Sequence, residues 1–325
     1  MKNREWNSME EQGSSLWRDA FLRLSRNRAA MFSLLALALI VAGCFFGPPP
    51  RPPGPLLPWL PHPNVQDLSR IAESPSWQYW FGTDQLGRDL LARVLYGGRI
   101  SLLVGVVATG VSLVIGVTYG LVSGYAGGRL DALMMRLVDV LFALPFIVLV
   151  IIFSLSVEEP AQQLTQWVSG VTGWSVEMVS PMTGLIPLFI AIGALGWLTL
   201  ARIVRTQTLE LKGQEFVEAA RSLGIGHMKI LFRHIAPNLF GSVIVYTTLA
   251  VPGIMLLEAV LSFLGLGVKA PNSSWGTLIK EGADRMEVSP ELLLFPALLF
   301  SATLLALNFL GDGLRDALDP KSSKD

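Results

Sequence analysis

Six long runs of uncharged, mainly apolar residues limit what this chain can fold into. They are Ala29–Pro50, Ile100–Gly128, Val140–Val157, Met178–Ala201, Ile235–Leu257 and Leu292–Gly311. Most of them reach the roughly 20 residues that a helix needs to cross about 30 Å of hydrocarbon. A charge at the bilayer centre costs about 2.5 to 3.5 kcal/mol on insertion scales, so uncharged runs of this length favour membrane spans. The sequence therefore predicts an all-α integral membrane protein with six transmembrane helices.

The composition excludes several other classes of protein. Charged residues make up 15% of the chain, against roughly 25% in a typical soluble protein. The 25 basic residues balance 25 acidic ones, so the chain has no general attraction to nucleic acid. A single cysteine excludes an internal disulfide, and three scattered histidines are too few for a metal site without carboxylates. We expect contact with membrane lipid, and no nucleic-acid partner, metal or catalytic residue.

The runs and the segments between them divide the chain into five parts. These are an amphipathic segment at 1–28, the first span at 29–47, an outer loop at 48–99, a core of five spans at 100–311 and a tail at 312–325. Nine prolines in Gly47–Pro63 exclude regular structure and predict an extended, stiffened chain. Pro160–Val176 is too rich in Gln, Thr, Ser and Gly for hydrocarbon, so it is predicted to be a loop. Pro145, Pro187 and Pro252 lie inside predicted spans and are expected to kink them.

The basic residues predict which ends of the spans face the cytoplasm. With the amino terminus inside, the inner segments hold 17 of the 25 Lys and Arg residues, and the outer segments hold eight. Inner loops of membrane proteins carry an excess of Lys and Arg, so both termini are expected in the cytoplasm.

The segment before the first span has the periodicity of a helix that lies on the membrane surface. One helical face carries Leu16, Trp17, Ala20, Phe21 and Leu24. Arginines flank this face, and such a helix buries its apolar side at the interface while the basic residues favour anionic lipid. We expect an interfacial helix capped by Ser14 or Ser15, with a generic basic segment as the alternative.

The 34 residues between the fourth and fifth spans, Val204–Pro237, carry the most information. Glu215–Leu223 has the pattern of a short amphipathic helix, and Gly224 suits the left-handed position that follows a helix. Its predicted apolar face consists of Phe216, Ala219, Ala220 and Leu223. Small residues on this face would let another surface come close.

A second helical piece follows Gly224. Its predicted apolar face consists of Met228, Leu231 and Ile235, with Lys229 and Arg233 four residues apart on another side. Pro237 stands where the fifth span can begin, because a proline in the first turn loses no hydrogen bond within the helix. The sequence therefore predicts a helix, a sharp turn and a helix that project from two membrane spans.

The second span contains a regular repeat of small residues. Gly116, Gly120 and Gly124 repeat every four residues in the second span, a spacing that lets two helices pack closely, and we interpret it as a packing contact.

Two groups of ionisable residues in the outer half are candidates for contact with substrate or partners, or for a gate. Asp84, Arg88 and Asp89 are expected to form a helix cap and salt-bridge cluster before the second span, with contact to substrate or partner subunits as the alternative. Glu258 lies near the outer end of the fifth span in apolar surroundings, which makes it a functional candidate; the alternatives are that it snorkels to the interface or bonds to the loop that follows.

Residues Glu218–Gly224 have the spacing EAA-x3-G, thirteen residues before Pro237. This array resembles the coupling loop of importer-type ABC transporter permeases, whose pattern is EAA-x3-G-x9-I-x-L-P. His234 stands in place of the family's Ile and Ala236 in place of its Leu, while the proline is kept. The resulting form RHIAPN is similar to that of the peptide-permease subfamily.

Other blocks resemble the C-type permease subunits of dipeptide, oligopeptide and nickel transporters. They are Gly82–Asp89, Ala92–Gly105, Leu261–Ile279, Met286–Pro290 and Asn308–Pro320. Leu16–Ala30 and Met286–Pro296 are most similar to the C-type subunits of oligopeptide permeases. The resemblance does not extend to the proline-rich stretch or to the residues around Glu158–Met178.

The resemblance implies a permease subunit of a type I ABC importer that carries oligopeptides or dipeptides across a bacterial cytoplasmic membrane. It implies a heterodimer with a second permease, two ATPase subunits that hold ATP and Mg, and an extracytoplasmic peptide-binding protein. The sequence contains no G-x-x-x-x-G-K-[ST] phosphate loop, so no nucleotide cofactor is expected on this chain. The residues that would couple to the ATPases are Glu215, Glu218, Ala219, Ala220, Arg221 and Gly224.

Three alternatives stay open. Permeases for nickel or metal chelates and for glutathione share the same blocks. An ATP-independent carrier or channel would show polar residues at the membrane midplane and often an internal repeat, and neither is visible in the sequence. An intramembrane enzyme would need paired ionisable residues within the spans, whereas His227 and His234 both lie in the arm between spans. The chain is therefore expected to be a transporter subunit rather than an enzyme.

Overall fold

The computed structural model describes residues 16–47, 60–270 and 272–318, and the regular structure of these residues is helical. In chain order the helices are α1 (Leu16–Arg26), α2 (Arg28–Phe46), α3 (Leu90–Ala126), α4 (Gly128–Ala143), α5 (Phe146–Thr172), α6 (Val176–Thr183), α7 (Ile186–Lys212), α8 (Glu215–Ser222), α9 (His227–Ile230), α10 (Ala236–Phe263), α11 (Trp275–Ala283) and α12 (Glu291–Leu318). A π-helical turn, Leu231–Ile235, joins α9 to α10.

Six of these helical units are long and apolar enough to cross a membrane. They are α2, α3, α5, α7, the continuous unit from α9 to α10, and α12. This confirms the predicted all-α architecture with six transmembrane helices. The predicted first span, 29–47, agrees with α2 to within one residue at each end. Asn27 begins α2, because its side-chain oxygen accepts a hydrogen bond from the Ala30 N–H.

The helix predicted before the first span is α1. Ala20 is buried and Phe21 is exposed, which gives the helix two unlike sides. Leu24 lies against Gly313 of α12, where an added Cβ would come within 3.3 Å of the Leu24 side chain and 2.5 Å of the Ala30 Cβ. The amino-terminal helix is therefore packed on the end of the last span.

Several predicted features lie outside the described residues. They are the capping serines Ser14 and Ser15, the side chains of Leu16 and Trp17, most of the proline-rich stretch and the tail beyond Leu318.

The glycine repeat of the second span brings α3 and α7 into backbone contact. A Cβ added to Gly120 would lie 2.6 Å from the Ala201 carbonyl oxygen, and one added to Gly124 would lie 2.7 Å from that of Arg205. A Cβ added to Gly116 would lie 3.0 Å from the Trp197 carbonyl oxygen of α7, and one added to Gly193 of α7 would lie 2.7 Å from the Val111 Cβ of α3. The missing side chains let the two helices pack in parallel along much of their length, as the spacing predicted.

The prediction of a loop at Pro160–Val176 is wrong, because α5 continues to Thr172 and contains Pro160. The polar composition of this segment excludes hydrocarbon, but it does not exclude a helix that extends beyond the membrane. The chain ends α5 at Gly173, which has the left-handed φ of 70° that suits a helix terminus.

Other predicted boundaries also shift. The helix α3 begins at Leu90, within the segment 48–99, and α12 continues through Leu318 into the segment 312–325. Pro145 precedes α5 and Pro187 lies in the first turn of α7, so neither interrupts the hydrogen bonds of a helix, whereas Pro252 lies in the middle of α10. Proline is compatible with a first turn, where its missing N–H has no partner to lose.

At the end of the bundle opposite the segment between α7 and α10, α11 folds back between α3, α10 and α12. Trp275 is fully buried, and its Nε1–H donates a 2.9 Å hydrogen bond to the Val94 carbonyl. Ser274 and Thr277 form a capping box at the start of α11. The hydrogen bond from the Trp275 indole and the capping box at its start therefore both hold α11 in place.

Candidate functional site

The segment between α7 and α10, residues 213–235, forms an arm that packs with one side against the ends of these two helices. The predicted coupling loop began at Val204, but α7 continues to Lys212, so the arm itself is shorter than predicted. It consists of α8, a turn around Gly224, α9 and the π-helical turn. Both ends of the arm run directly into spanning helices, so its position depends on α7 and α10.

Gly224 ends α8 in the way that the sequence predicted. Its φ is 73°, a left-handed conformation that favours glycine. The Ile225 N–H donates to the Ala220 carbonyl at 3.1 Å, and the Gly224 N–H donates to the Arg221 carbonyl at 2.9 Å. These two bonds form a Schellman motif, which satisfies the last carbonyls of α8 and fixes the turn.

Three of the four residues on the predicted apolar face of α8 share its exposed side, and the fourth, Ala220, is buried. Val217 and Ala220 are buried against α7 and α10, whereas Phe216, Ala219 and Leu223 are exposed, Leu223 to 80%. The prediction assumed that all the apolar residues faced one partner. In the structure, α7 and α10 cover one side of α8, and the remaining apolar side chains are exposed on its other side.

The second helical piece shows the same division. Ile230, Leu231 and Ile235 are buried, but Met228, which the periodicity placed with Leu231 and Ile235, is 67% exposed. Phe232 is also exposed. The exposed apolar residues of the arm are Phe216, Leu223, Met228 and Phe232. We call this set the arm surface.

Charged residues accompany the arm surface. Glu215, Glu218 and Arg221, which the sequence marked as coupling residues, are all exposed. The Arg221 guanidinium also lies 6.0 Å from the ring centre of Tyr125, the residue next to the end of α3. An apolar patch with charges beside it is typical of a protein-binding surface.

Tyr125 fixes the arm to the bundle, a role that the sequence analysis missed. Its hydroxyl lies 2.8 Å from His227 Nδ1 at the start of α9. Its carbonyl accepts a 2.6 Å hydrogen bond from Lys212 Nζ at the end of α7. Tyr125 thus connects three elements that are far apart in sequence, and no local pattern marks it.

A partly buried ion pair joins α4 to α7, and sequence reasoning missed it too. Arg205 of α7 donates two 2.5 Å hydrogen bonds to the Asp131 carboxylate of α4, and the Ser123 hydroxyl of α3 donates a third. The hydrogen bonds from Arg205 lower the pKa of Asp131 below its ordinary value. The two residues are distant in sequence, so only the fold brings them together.

The π-helical turn lies directly before Pro237. Proline has no N–H, and its ring would collide with the carbonyl of the residue four positions earlier in an ideal α-helix. The chain widens here, and the Ala236 N–H donates to the Leu231 carbonyl five residues back. Single π turns of this kind are frequent at functional sites.

The outer residues Asp84, Arg88 and Asp89 form the cap and salt-bridge cluster that the sequence favoured. Asp89 caps α3 by accepting a 2.7 Å hydrogen bond from the Ala92 N–H, and burial raises the pKa of its carboxyl. Asp84 is paired with Arg88 at 2.6 Å and with Arg93 at 2.7 Å. Arg93 continues the network to Glu281 of α11 at 2.6 Å. The cluster therefore fastens the loop before α3 to α11.

Glu258 is fully buried between α10 and α3. Its carboxylate accepts hydrogen bonds from the hydroxyls of Ser262 at 2.7 Å and Ser101 at 3.1 Å. The Ser101 hydroxyl oxygen also accepts the Trp275 N–H, and Ser262 accepts the Val268 N–H from the segment after α10. Glu258 thus bonds within α10 and to α3, and it reaches the segment after α10 only through the hydroxyl of Ser262.

Sequence comparison connects this geometry to known proteins. Residues 116–324 match the family described as "Binding-protein-dependent transport system inner membrane component". Residues 15–75 match the "N-terminal TM domain of oligopeptide transport permease C". The first match includes the whole arm and all of α4 to α12.

Individual relatives agree along nearly their full lengths. The chain is 45% identical to the oligopeptide transport system permease protein OppC of Haemophilus influenzae, over 96% of this chain and 91% of that protein. It is 45% identical to the OppC protein of Escherichia coli, over 96% and 94%. It is also 40% identical to the dipeptide transport system permease protein DppC of Bacillus subtilis, over 98% and 90%.

Proposed function

Because the chain belongs to the family of binding-protein-dependent transport system inner membrane components, we propose that it is a permease subunit of an ABC importer of oligopeptides or dipeptides. The family makes it a multi-pass inner membrane protein and a transport subunit. Its relatives carry the names of oligopeptide and dipeptide permeases, and these names support the choice of substrate. In this proposal the translocation pathway forms with a second, homologous permease.

The arm surface is the observation that carries the proposal. Phe216, Leu223 and Met228 are exposed on a segment whose other side is packed onto α7 and α10. Exposed apolar side chains on a small, well-supported projection favour a protein partner. We propose that the partner is an ATPase subunit, which holds the ATP and Mg that this chain does not bind.

The supports of the arm suggest how the partner acts on the spans. Val217 and Ile230 pack into the same apolar cluster as Val204 of α7 and Leu239 of α10. Movement of α8 by the ATPases would therefore move both spans. The translocation pathway would then switch between opening to the cytoplasm and opening to the outside. In this mechanism the arm, and with it both chain termini, lies in the cytoplasm.

The opposite end of the bundle would then face a peptide-binding protein. A cluster of ionisable residues fixes the loop before α3 to α11 at this end. It consists of Asp84, Arg88, Asp89, Arg93 and Glu281. We propose that these residues position the outer loop for the binding protein, and that Glu258 holds the segment after α10 in place.

Leu223→Asp tests the arm. The substitution places a charge on the arm surface without touching the buried side of α8, so we expect at least a tenfold loss of ATPase subunits that co-purify with the chain, together with loss of ATP-driven peptide uptake. Leu68→Asp is the matched control, because Leu68 is an exposed leucine of the outer loop. It should leave the bound ATPase unchanged. Normal ATPase binding and uptake by Leu223→Asp would contradict the proposal.

Substrate identity needs a separate measurement. Vesicles that contain the complete transporter are supplied with a labelled tripeptide, a nickel chelate or glutathione, with and without ATP. We expect ATP-dependent uptake of the tripeptide. Uptake of only the chelate or glutathione would replace the peptide assignment, and uptake without ATP would favour a carrier or channel.

A further inference from the structure

A cavity of about 260 Å³ opens between α5, α6, α7 and the irregular segment that follows α10. It lies at the end of the bundle opposite the arm, since its walls include Leu188 near the start of α7 and Leu261 near the end of α10. Its volume approaches the range of about 300 to 1,000 Å³ that is typical of ligand sites. The cavity is separate from the arm and from the Asp84 cluster.

One face of α5 forms the polar wall of this cavity. Ser154, Glu158, Gln162 and Thr165 all line it, and their spacing of four, four and three residues places them on one side of the helix. Thr165 also shares a 2.6 Å hydrogen bond with Thr183 of α6. Apart from Ser154, the residues of this wall belong to the stretch around Glu158–Met178, to which the resemblance by motif does not extend.

Glu158 forms a salt bridge across the cavity with Lys269. The two partners are held very differently. The Glu158 side chain is 34% exposed and sits on a regular helix, whereas the Lys269 side chain is 64% exposed and comes from the segment without regular structure. Exposed pairs of this kind contribute little net stability, so Lys269 can be replaced by another cation at small cost.

Every unmodified peptide carries an ammonium group at its amino terminus, whatever its sequence. A carboxylate on a rigid wall can accept hydrogen bonds from this group just as it accepts them from lysine. The hydroxyl and amide groups of Thr165 and Gln162 lie one to two turns along the same wall, where a peptide backbone has donors and acceptors to offer. Leu155, Leu188 and Leu261 supply apolar contacts that do not depend on the side-chain sequence.

We propose that the Glu158 carboxylate binds the amino-terminal ammonium group of a peptide in transit. This ammonium group displaces that of Lys269 from the carboxylate. This inference rests on the proposed function, because it takes a peptide as the substrate. It makes the cavity a site that recognises the end common to all free peptides. Lys269 competes for the carboxylate while the site is empty.

Binding to the complete transporter tests the site directly. The complex is reconstituted in nanodiscs without the peptide-binding protein, and a tripeptide with a fluorescent label at its carboxyl end is titrated by fluorescence anisotropy. The same peptide with an acetylated amino terminus serves as the neutral probe. We expect the free-amino peptide to bind at least fivefold more tightly to the wild-type complex.

Three variants sharpen the result. Glu158→Gln should abolish the preference for the free amino group, because the neutral amide lacks the charge that attracts the ammonium. Glu159→Gln is the matched control, since Glu159 is the exposed neighbour on α5 outside the cavity, and it should keep the preference. Lys269→Ala removes the competing cation and should strengthen binding of the free-amino peptide two- to threefold.

The outcomes separate this inference from the proposed function. Equal binding of both peptides to the wild type, no binding of either, or an unchanged preference in Glu158→Gln would overturn the role of Glu158, even if ATP-driven peptide uptake is normal. Absence of peptide uptake by the complete wild-type transporter with its binding protein and ATP would overturn the proposed function itself.

Discussion

The two ends of the bundle differ in which side chains they expose and which they bury. At the arm end, Phe216, Leu223 and Met228 are exposed. At the other end, Glu258 and Asp84 are buried and their hydrogen bonds are made within the chain. One end leaves apolar surface for another protein to cover, while the other has already satisfied its polar groups.

This difference indicates where each end can tolerate change. Polar groups buried in a fixed network lose several partners at once when one member is removed. Exposed apolar groups lose little internal stability but lose contact with a partner. Substitutions at the outer end should therefore lower the stability of the fold, and substitutions at the arm surface should lower coupling.

The largest expected effect on stability is that of Glu258→Leu. It leaves the hydroxyls of Ser101 and Ser262 without their shared acceptor, so we expect a loss of about 3 kcal/mol in the free energy of unfolding. The measurement is the thermal unfolding midpoint of the purified protein in detergent. Glu258→Gln keeps an acceptor for one serine and can donate to the hydroxyl oxygen of the other, so it should retain most of the stability. A Leu variant as stable as the wild type would break the contrast between the two ends.

A smaller loss is expected from Asp131→Asn, which weakens the pair that this largely buried carboxylate forms with Arg205 at the arm end. We expect a loss of about 2 kcal/mol, the contribution of hydrogen bonds to a charged group. Asp139→Asn is the matched control on the same helix, because its pair with Arg202 is exposed on both sides and should contribute less than about 1 kcal/mol. Equal losses in the two variants would show that burial does not distinguish the pairs.

The Asp131 pair also predicts a dependence on pH. Its pKa is lowered in the folded state from the ordinary value of 3.8, so the stabilisation is fully present above that value and is lost as the pH falls through the lowered pKa. Below about pH 4 the unfolding midpoint of the wild type should fall more steeply than that of Asp131→Asn. Parallel curves for the two proteins would contradict this assignment.

The smallest expected effect on stability is that of Gly224→Ala. A Cβ at this position meets no atom within 4 Å, so the whole penalty comes from the left-handed backbone and should be about 1 kcal/mol. Gly226→Ala is the matched control, because that site is equally open but its φ is −63°. Only Gly224→Ala should reduce ATP-driven uptake in vesicles, since it disturbs the turn of the arm. Equal uptake by the two variants would argue against a fixed turn.

The sequence was sufficient for features that depend on local rules. The six spans follow from apolar length, and the end of α8 follows from a glycine at the position where a helix needs a left-handed residue. The repeat of Gly116, Gly120 and Gly124 predicted close packing for the same reason, since spacing along one helix determines which face can approach a neighbour.

The features that the sequence could not supply depend on contacts between distant segments. Nothing near Tyr125 indicates that His227 will lie beside its hydroxyl, and the pairing of Asp131 with Arg205 requires the relative position of α4 and α7. The exposed side of α8 could not be chosen either, because periodicity finds an apolar face without showing whether the chain or a partner covers it. The helix at Pro160–Thr172 was missed because composition was used to decide conformation as well as depth in the membrane.

The contact between α3 and α7 has a mechanical consequence. From Ala108 with Gly193 to Gly124 with Thr208, the two backbones adjoin along about 24 Å at 1.5 Å per residue. Helices in contact over such a length are expected to tilt together as one rigid unit. A displacement of α7 where it meets the arm would therefore also move α3, and it would reach the opposite end of the bundle.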